Sequence, residues 1–228
     1  MPAKNIIKVY LENSFYHIYN RSIEKILIFK DNQDYTVFLH FLKRYLSPPP
    51  ENPNMIVPRW KSDIFDKIQL IAYCLMPNHF HLLVKQSSLN AIVSFMRSLA
   101  NSYVHYFNKR YGRNGPLFQG NYKAVIVETE PYLLHLSRYI HLNPYELNFS
   151  NEVGPRTRSN LTNLENYPYS SYEDYLGKRK TNWIHPEEIL AFFKTAQKTS
   201  LQDILSYQSF VEDYKEDPKE ILGPLTID

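Results

Sequence analysis

The chain has 228 residues, 43% of them apolar, and a formal net charge of +3. That size supports a buried core in one domain of about 150 residues plus an extension, and the absence of any run of roughly 18 apolar residues or of an apolar leader after Met1-Pro2-Ala3-Lys4-Asn5 argues against membrane spanning and export. Cys74 is the single cysteine, which excludes an intrachain disulfide framework and a cysteine metal site and fits a cytoplasmic setting.

Residues 14–21, Ser-Phe-Tyr-His-Ile-Tyr-Asn-Arg, are aromatic and β-branched enough to predict a first strand. Asp31 or Asn32 can cap a helix whose apolar residues Tyr35, Phe38, Leu39, Leu42 and Leu46 fall at helical spacing. The proline-rich residues 47–54 predict a loop, because each proline lacks an N–H and restricts its predecessor. Residues 68–76 are nearly continuously apolar, as for a strand buried on both faces, and Pro77-Asn78 turns the chain into an antiparallel neighbour. In that next strand His79 and His81 stand two apart, so they leave the same face while Phe80, Leu82 and Val84 enter a core. Two neutral imidazoles side by side suit a divalent metal.

From residue 89 to 111 the set Ile92, Met96, Leu99, Tyr103 and Tyr106 or Phe107 predicts an amphipathic helix, ended by Gly112. Its other face carries Ser94, Arg97, Asn101, His105 and Lys109. No Asp or Glu occurs between Asp66 and Glu128, so this stripe and the histidine strand share a basic field that favours a polyanion such as nucleic acid. A turn-rich segment at 115–120 leads to a strand over 121–127. The order strand, helix, strand, strand, helix, strand predicts an α+β, ferredoxin-like fold: an antiparallel sheet with helices on one face. A further helix opens near Pro131, carries Leu133, Leu136 and Ile140, and is expected to stop at Asn143-Pro144. Tyr139 and Asn143, four apart, lie on one helix face with His135 one turn earlier. If that face covers the sheet, a phenol and a carboxamide meet the imidazole pair.

Three segments now form a pattern: Met76-Pro77-Asn78-His79-Phe80-His81-Leu82-Leu83, Gly115-Pro116-Leu117-Phe118-Gln119-Gly120-Asn121-Tyr122-Lys123, and Arg138-Tyr139-Ile140-His141-Leu142-Asn143-Pro144. In this order they resemble the single-tyrosine HUH transposases of the IS200-like family, specifically the branch of REP-associated tyrosine transposases. The resemblance runs from about residue 15 to 175 and includes Tyr167-Pro168-Tyr169-Ser170-Ser171-Tyr172, similar to a post-domain motif of that branch. It implies that His79, His81 and Asn143 hold Mg²⁺ or Mn²⁺ and that Tyr139 is the nucleophile. The implied reaction cleaves single-stranded DNA next to a hairpin or palindromic repeat, giving a 5′-phosphotyrosine link and a free 3′-hydroxyl that can rejoin strands without ATP.

His135 is a candidate base, and Arg97, Asn101, Lys109, Arg113, Gln119, Asn121 and Lys123 are the candidate DNA-binding surface. The expected setting is the bacterial cytoplasm at the nucleoid, with homodimerisation left open. Residues 1–176 are expected to form the nuclease domain, with its ferredoxin-like core at about 14–147, and 177–228 a basic linker and helical extension, whose open roles are contact with hairpin DNA, dimerisation and, the favoured one, packing on the core. Two other readings remain open in the sequence: a domesticated repeat-processing nuclease without mobility, and a nonenzymatic nucleic-acid module, which leaves His79, His81, Tyr139 and Asn143 without a role.

Overall fold

The computed structural model describes residues 9–49, 64–148, 164–196, 206–213 and Leu222. Strand β1 (Ser14–Arg21) leads through a single 3₁₀ turn to helix α1 (Asn32–Leu46). Strands β2 (Ile68–Met76) and β3 (His79–Gln86), helix α2 (Ala91–Tyr111), strand β4 (Lys123–Val127) and helix α3 (Glu130–Asn148) follow. The sheet order is β2-β3-β1-β4 with every neighbouring pair antiparallel, the arrangement expected of a ferredoxin-like fold. Most of the proline-rich stretch at 47–54, for which the sequence predicts a loop, lies outside the described residues.

Alternation in the strands divides the interior into two cores. Tyr16, Ile18, Phe80, Leu82 and Val84 pack with Phe38 and Leu42 of α1 and Phe95, Leu99 and Tyr103 of α2. Cys74, Met76, Leu83 and Val127 face the other way and pack with Leu133, Leu136, Tyr139 and Ile140 of α3. A bulge between Leu70 and Ala72 lets consecutive residues Ile71 and Ala72 both join the α3 core. Asp31 caps α1 by accepting from the Gln33 and Asp34 amides, and Gly112 closes α2 at φ 59°. Buried Asp34 then ties α1 to α2, accepting from Arg110 at 2.5 Å, Tyr106 at 2.9 Å and Tyr111 at 2.8 Å.

One sequence expectation is corrected. Helix α3 runs through Pro144 to Asn148 instead of stopping at Asn143. The missing N–H removes the ladder bond to the Ile140 carbonyl, but Ile140, Leu142, Asn143 and Pro144 are all buried, and that packing outweighs the local cost.

The C-terminal part packs where the sequence expects, on the core. The Tyr167–Tyr172 segment runs beside the free edge of β2: Leu75 N–H donates to the Tyr169 carbonyl, Ser171 N–H to that of Tyr73, and Cys74 bridges Ser170. After helix α4 (Tyr172–Tyr175), Arg179 in the expected linker is ion-paired with Glu173 and Asp174, so the stretch is anchored. Helices α5 (Glu187–Ala196) and α6 (Tyr207–Glu212) add Ile189, Phe193, Tyr207 and Val211 to the α3 core.

Buried His141 of α3 joins these parts, with Nδ1 2.7 Å from the Tyr207 hydroxyl and Nε2 2.8 Å from Ser171 Oγ. Burial, with the nearby Arg179 charge second, pushes its pKa down to about 3 from 6.5. The unfolded chain therefore binds a proton that the folded chain refuses between these values, so stability falls as pH drops from about 6.5 toward 3. Denaturant melts between pH 7 and 4 should show that loss, and His141→Asn should flatten it by up to about 1.4 kcal/mol per pH unit.

Candidate active site

The register of β1 on β3 builds the site. Tyr19 pairs with His81, Arg21 with His79 and His17 with Leu83, so Arg21, His79, Tyr19, His81 and His17 all lie on the sheet face that α3 covers. Tyr139 comes down onto it edge-on: its ring centroid is 5.4 Å from that of His81 at 90° and 6.2 Å from that of His17 at 82°. The His79 and His81 rings are 5.0 Å apart at 83°. Of the meeting expected from the sequence, the fold sets the phenol against His81, with His79 next to that ring.

The nitrogen assignments can be worked out. His79 Nδ1 sits 2.6 Å from Asn78 Oδ1, and a carboxamide oxygen only accepts, so Nδ1 carries the proton and Nε2 is the basic nitrogen. Asn143, one turn beyond Tyr139, donates Nδ2–H to the Tyr139 carbonyl at 2.9 Å, which leaves its Oδ1 as the end for a ligand. His81 is fully buried, and its pKa is driven well below 6.5, first by burial, then by the charges of His79, His17 and Arg21, against an opposing contribution from Asn143. It is a neutral base. Its Nε2 is buried with no hydrogen-bond partner among the described residues.

Such an orphaned nitrogen beside a second imidazole and a carboxamide oxygen fits a divalent cation. Among the described residues no three His, Cys, Asp or Glu side chains converge on one point. An ion here would therefore rest on His79, His81 and Asn143, an uncharged set.

His135 is placed differently. Its Nδ1 bonds to the Arg138 guanidinium and its ring lies 6.0 Å from that of Phe210 in α6, while Arg138 itself stacks over Phe210 at 4.3 Å. Tyr139 meanwhile packs toward the sheet histidines, so the structure puts His135 and the phenol in different surroundings.

Of the candidate DNA-binding residues, Arg97, Asn101 and Lys109 are exposed along α2, with Gln119 and Asn121 exposed on the segment facing it. Two clefts that share Asn101 lie along α2. One is lined by Arg97, Asn101, Phe118, Asn121 and Tyr122, the other by Asn101, His105, Lys109 and Arg113. Arg113 is half-buried, its guanidinium 5.7 Å from the Phe107 ring centroid. Lys123 separates from this group: it pairs with Tyr19 on the histidine face, so it belongs to the site rather than to the α2 stripe.

Sequence reading missed His17 and Arg21. Both lie on β1, and their only signal was alternation with Tyr19, which does not say what stands on the neighbouring strand.

With this geometry in place the chain can be compared with known proteins. Residues 61–143 match the family model described as transposase, IS200-like. Over this stretch the chain is similar to the IS200-like transposases. A solved REP-associated tyrosine transposase bound to a REP hairpin is similar in fold, with TM-score 0.52 at 11% identity over 78% of this chain and 95% of that one. A candidate transposase of Deinococcus radiodurans R1 aligns at TM-score 0.37 and 15% identity, over 61% of this chain and 95% of that one. No curated protein sequence matches. Among the described residues, no helix is long and apolar enough to cross a membrane.

The burial of His81 has a direct readout. In ring ¹⁵N NMR spectra the imidazole should stay uncharged to a pH well below that at which an ordinary histidine takes up its proton. A half-protonated His81 at pH 6 would contradict the described environment.

Proposed function

We propose that this chain is an IS200-like transposase that cleaves and rejoins single-stranded DNA beside hairpins, with Tyr139 as nucleophile and Mg²⁺ or Mn²⁺ held by His79, His81 and Asn143. The observation that carries the reading is the stacking of Tyr139 edge-on over His81, with Asn143 one turn farther along the same helix. A bound divalent ion would polarise the scissile phosphate and stabilise the departing 3′-oxygen.

The chain's own part is positioning and charge. In the cleavage step the Tyr139 oxygen forms a bond to phosphorus and the bond from phosphorus to the 3′-oxygen breaks. The phenol proton leaves to water and the 3′-oxygen gains one. A free phenol has a pKa near ~10, so making phenolate at pH 7 costs about 4 kcal/mol. Fixed positive charge offsets this. Arg21, paired with His79 in the register, and Lys123, paired with Tyr19, share the face on which phosphate charge develops. The covalent link keeps the phosphodiester energy, so a 3′-hydroxyl can reverse the step without a nucleotide cofactor.

DNA flanking the site would follow the clefts along α2, where Arg97 and Lys109 lie exposed. No proton step is assigned to His135, whose Nδ1 is taken by Arg138.

The first test mixes the protein with hairpin-bearing single-stranded DNA and Mn²⁺ and resolves it on a denaturing gel. A covalent adduct should form with the wild type and vanish in Tyr139→Phe while DNA binding persists; an undiminished adduct in that variant would overturn the assignment. Binding with no adduct on any hairpin would favour the nonenzymatic reading. For the interface, Arg97→Ala with Lys109→Ala should lower the slope of log affinity against log salt by about 1.5. An unchanged slope would put the DNA on another surface.

A further inference from the structure

His17 is a fully buried imidazole for which the proposed chemistry has no direct use. It stands on β1 opposite Leu83, two residues out of register with His81 on β3, and the two rings are near parallel, with centroids 5.2 Å apart at 13°. The contact is directional: His17 Nε2 lies 2.9 Å from His81 Nδ1. Only one proton can sit between these nitrogens, and its location decides what His81 can do.

If His17 donated, His81 Nδ1 would be the acceptor, and neutral His81 would carry its proton on Nε2. That nitrogen is the buried one with no partner among the described residues. The proton would then be solvent-excluded with only the Asn143 side chain at hand, which does not meet Nε2 in hydrogen-bond geometry, and the nitrogen would have no lone pair for a cation. If His81 donates instead, Nδ1–H satisfies His17 Nε2 and the Nε2 lone pair of His81 is turned to the site. The neighbouring histidine already works this way, with Nδ1–H of His79 given to Asn78 and Nε2 left basic. Histidine ligands of metals commonly give their second N–H to a protein acceptor, which fixes the tautomer and the ring angle.

We infer that His17 is a positioning residue: it accepts the Nδ1 proton of His81, holds that ring in the Nδ1–H tautomer and thereby presents the Nε2 lone pair to the cation. The consequence for metal affinity rests on the cation reading given above, while the tautomer stands independently of it. For His17 to accept at Nε2 while neutral, its own proton sits on Nδ1. An imidazole in this role adds no negative charge behind the ligand, unlike the carboxylate that more often does this work.

The test uses the full chain and two readouts. Long-range ¹H–¹⁵N spectra of the metal-free wild type should show His81 protonated at Nδ1 with an unprotonated Nε2. Mn²⁺ binding, followed by loss of the free-ion paramagnetic resonance signal, should weaken about 10- to 100-fold in His17→Phe, which keeps a ring but removes the acceptor. His17→Gln, which can offer Oε1 near the lost Nε2, should recover most of it. A wild-type His81 protonated at Nε2, or His17→Phe binding Mn²⁺ as the wild type does, would overturn the role of His17. A wild type that binds no Mn²⁺ would overturn the cation reading instead, with the tautomer still decided by the spectra. Since the spectra need no variant, a misfolded His17→Phe leaves the inference open to refutation.

Discussion

The register between β1 and β3 is the constraint on which the site depends. Both strands lie in the middle of the sheet, so each of their faces is committed to a core. A slip of one residue would carry Tyr16, Ile18 and Asn20 to the α3 side and bring His17 against α1 and α2. The apolar residues of β1 and β3 that face α1 and α2 therefore do more than fill a core. Ile18 opposite Leu82 and Tyr16 opposite Val84 hold the alignment that sets His17, Tyr19 and Arg21 beside the two histidines of β3.

Helix α3 supplies the other half of the site, and its position is held from two sides. Leu133, Leu136 and Ile140 are in the core beneath the sheet, while His141 reaches away to Tyr207 and Ser171. Tyr139 and His141 are two residues apart, so they point in different directions around the helix. One meets the sheet histidines and the other the C-terminal segment. The extension is thus part of what fixes the height and rotation of the helix that carries Tyr139. Arg138, stacked on Phe210 and bonded to its carbonyl, adds a third tie at the same level.

Much of this was legible in the chain because it is local. The His79–His81 pair, the amphipathic α2 with its glycine stop, and the four-residue spacing of Tyr139 and Asn143 follow from periodicity alone. The family resemblance then assigns roles to them. What escaped is nonlocal. His17 lies 64 residues from His81, and nothing in residues 14–21 tells which strand β1 will join or at what offset. Arg21 was hidden for the same reason, and Lys123 was grouped with α2 because its alternation was visible but its face was not. The proline in α3 fails in the opposite sense: the local rule is sound, and the burial of Pro144 and of the residues before it overrides it.

The charge of the site argues for a link between cation and substrate. His79, His81 and Asn143 are uncharged donors, the group behind His81 is another imidazole, and the nearby ionic side chains identified on this face, Arg21 and Lys123, are cationic. Nothing among these residues neutralises a divalent ion. On the proposed reading the missing negative charge comes from the DNA itself, whose phosphate can contact the ion and the two basic side chains together. Such a site gains affinity for the ion when the strand is present and for the strand when the ion is present, as linkage requires. Hard cations such as Mg²⁺ gain most, because phosphate oxygens supply the ligands that two imidazoles do not.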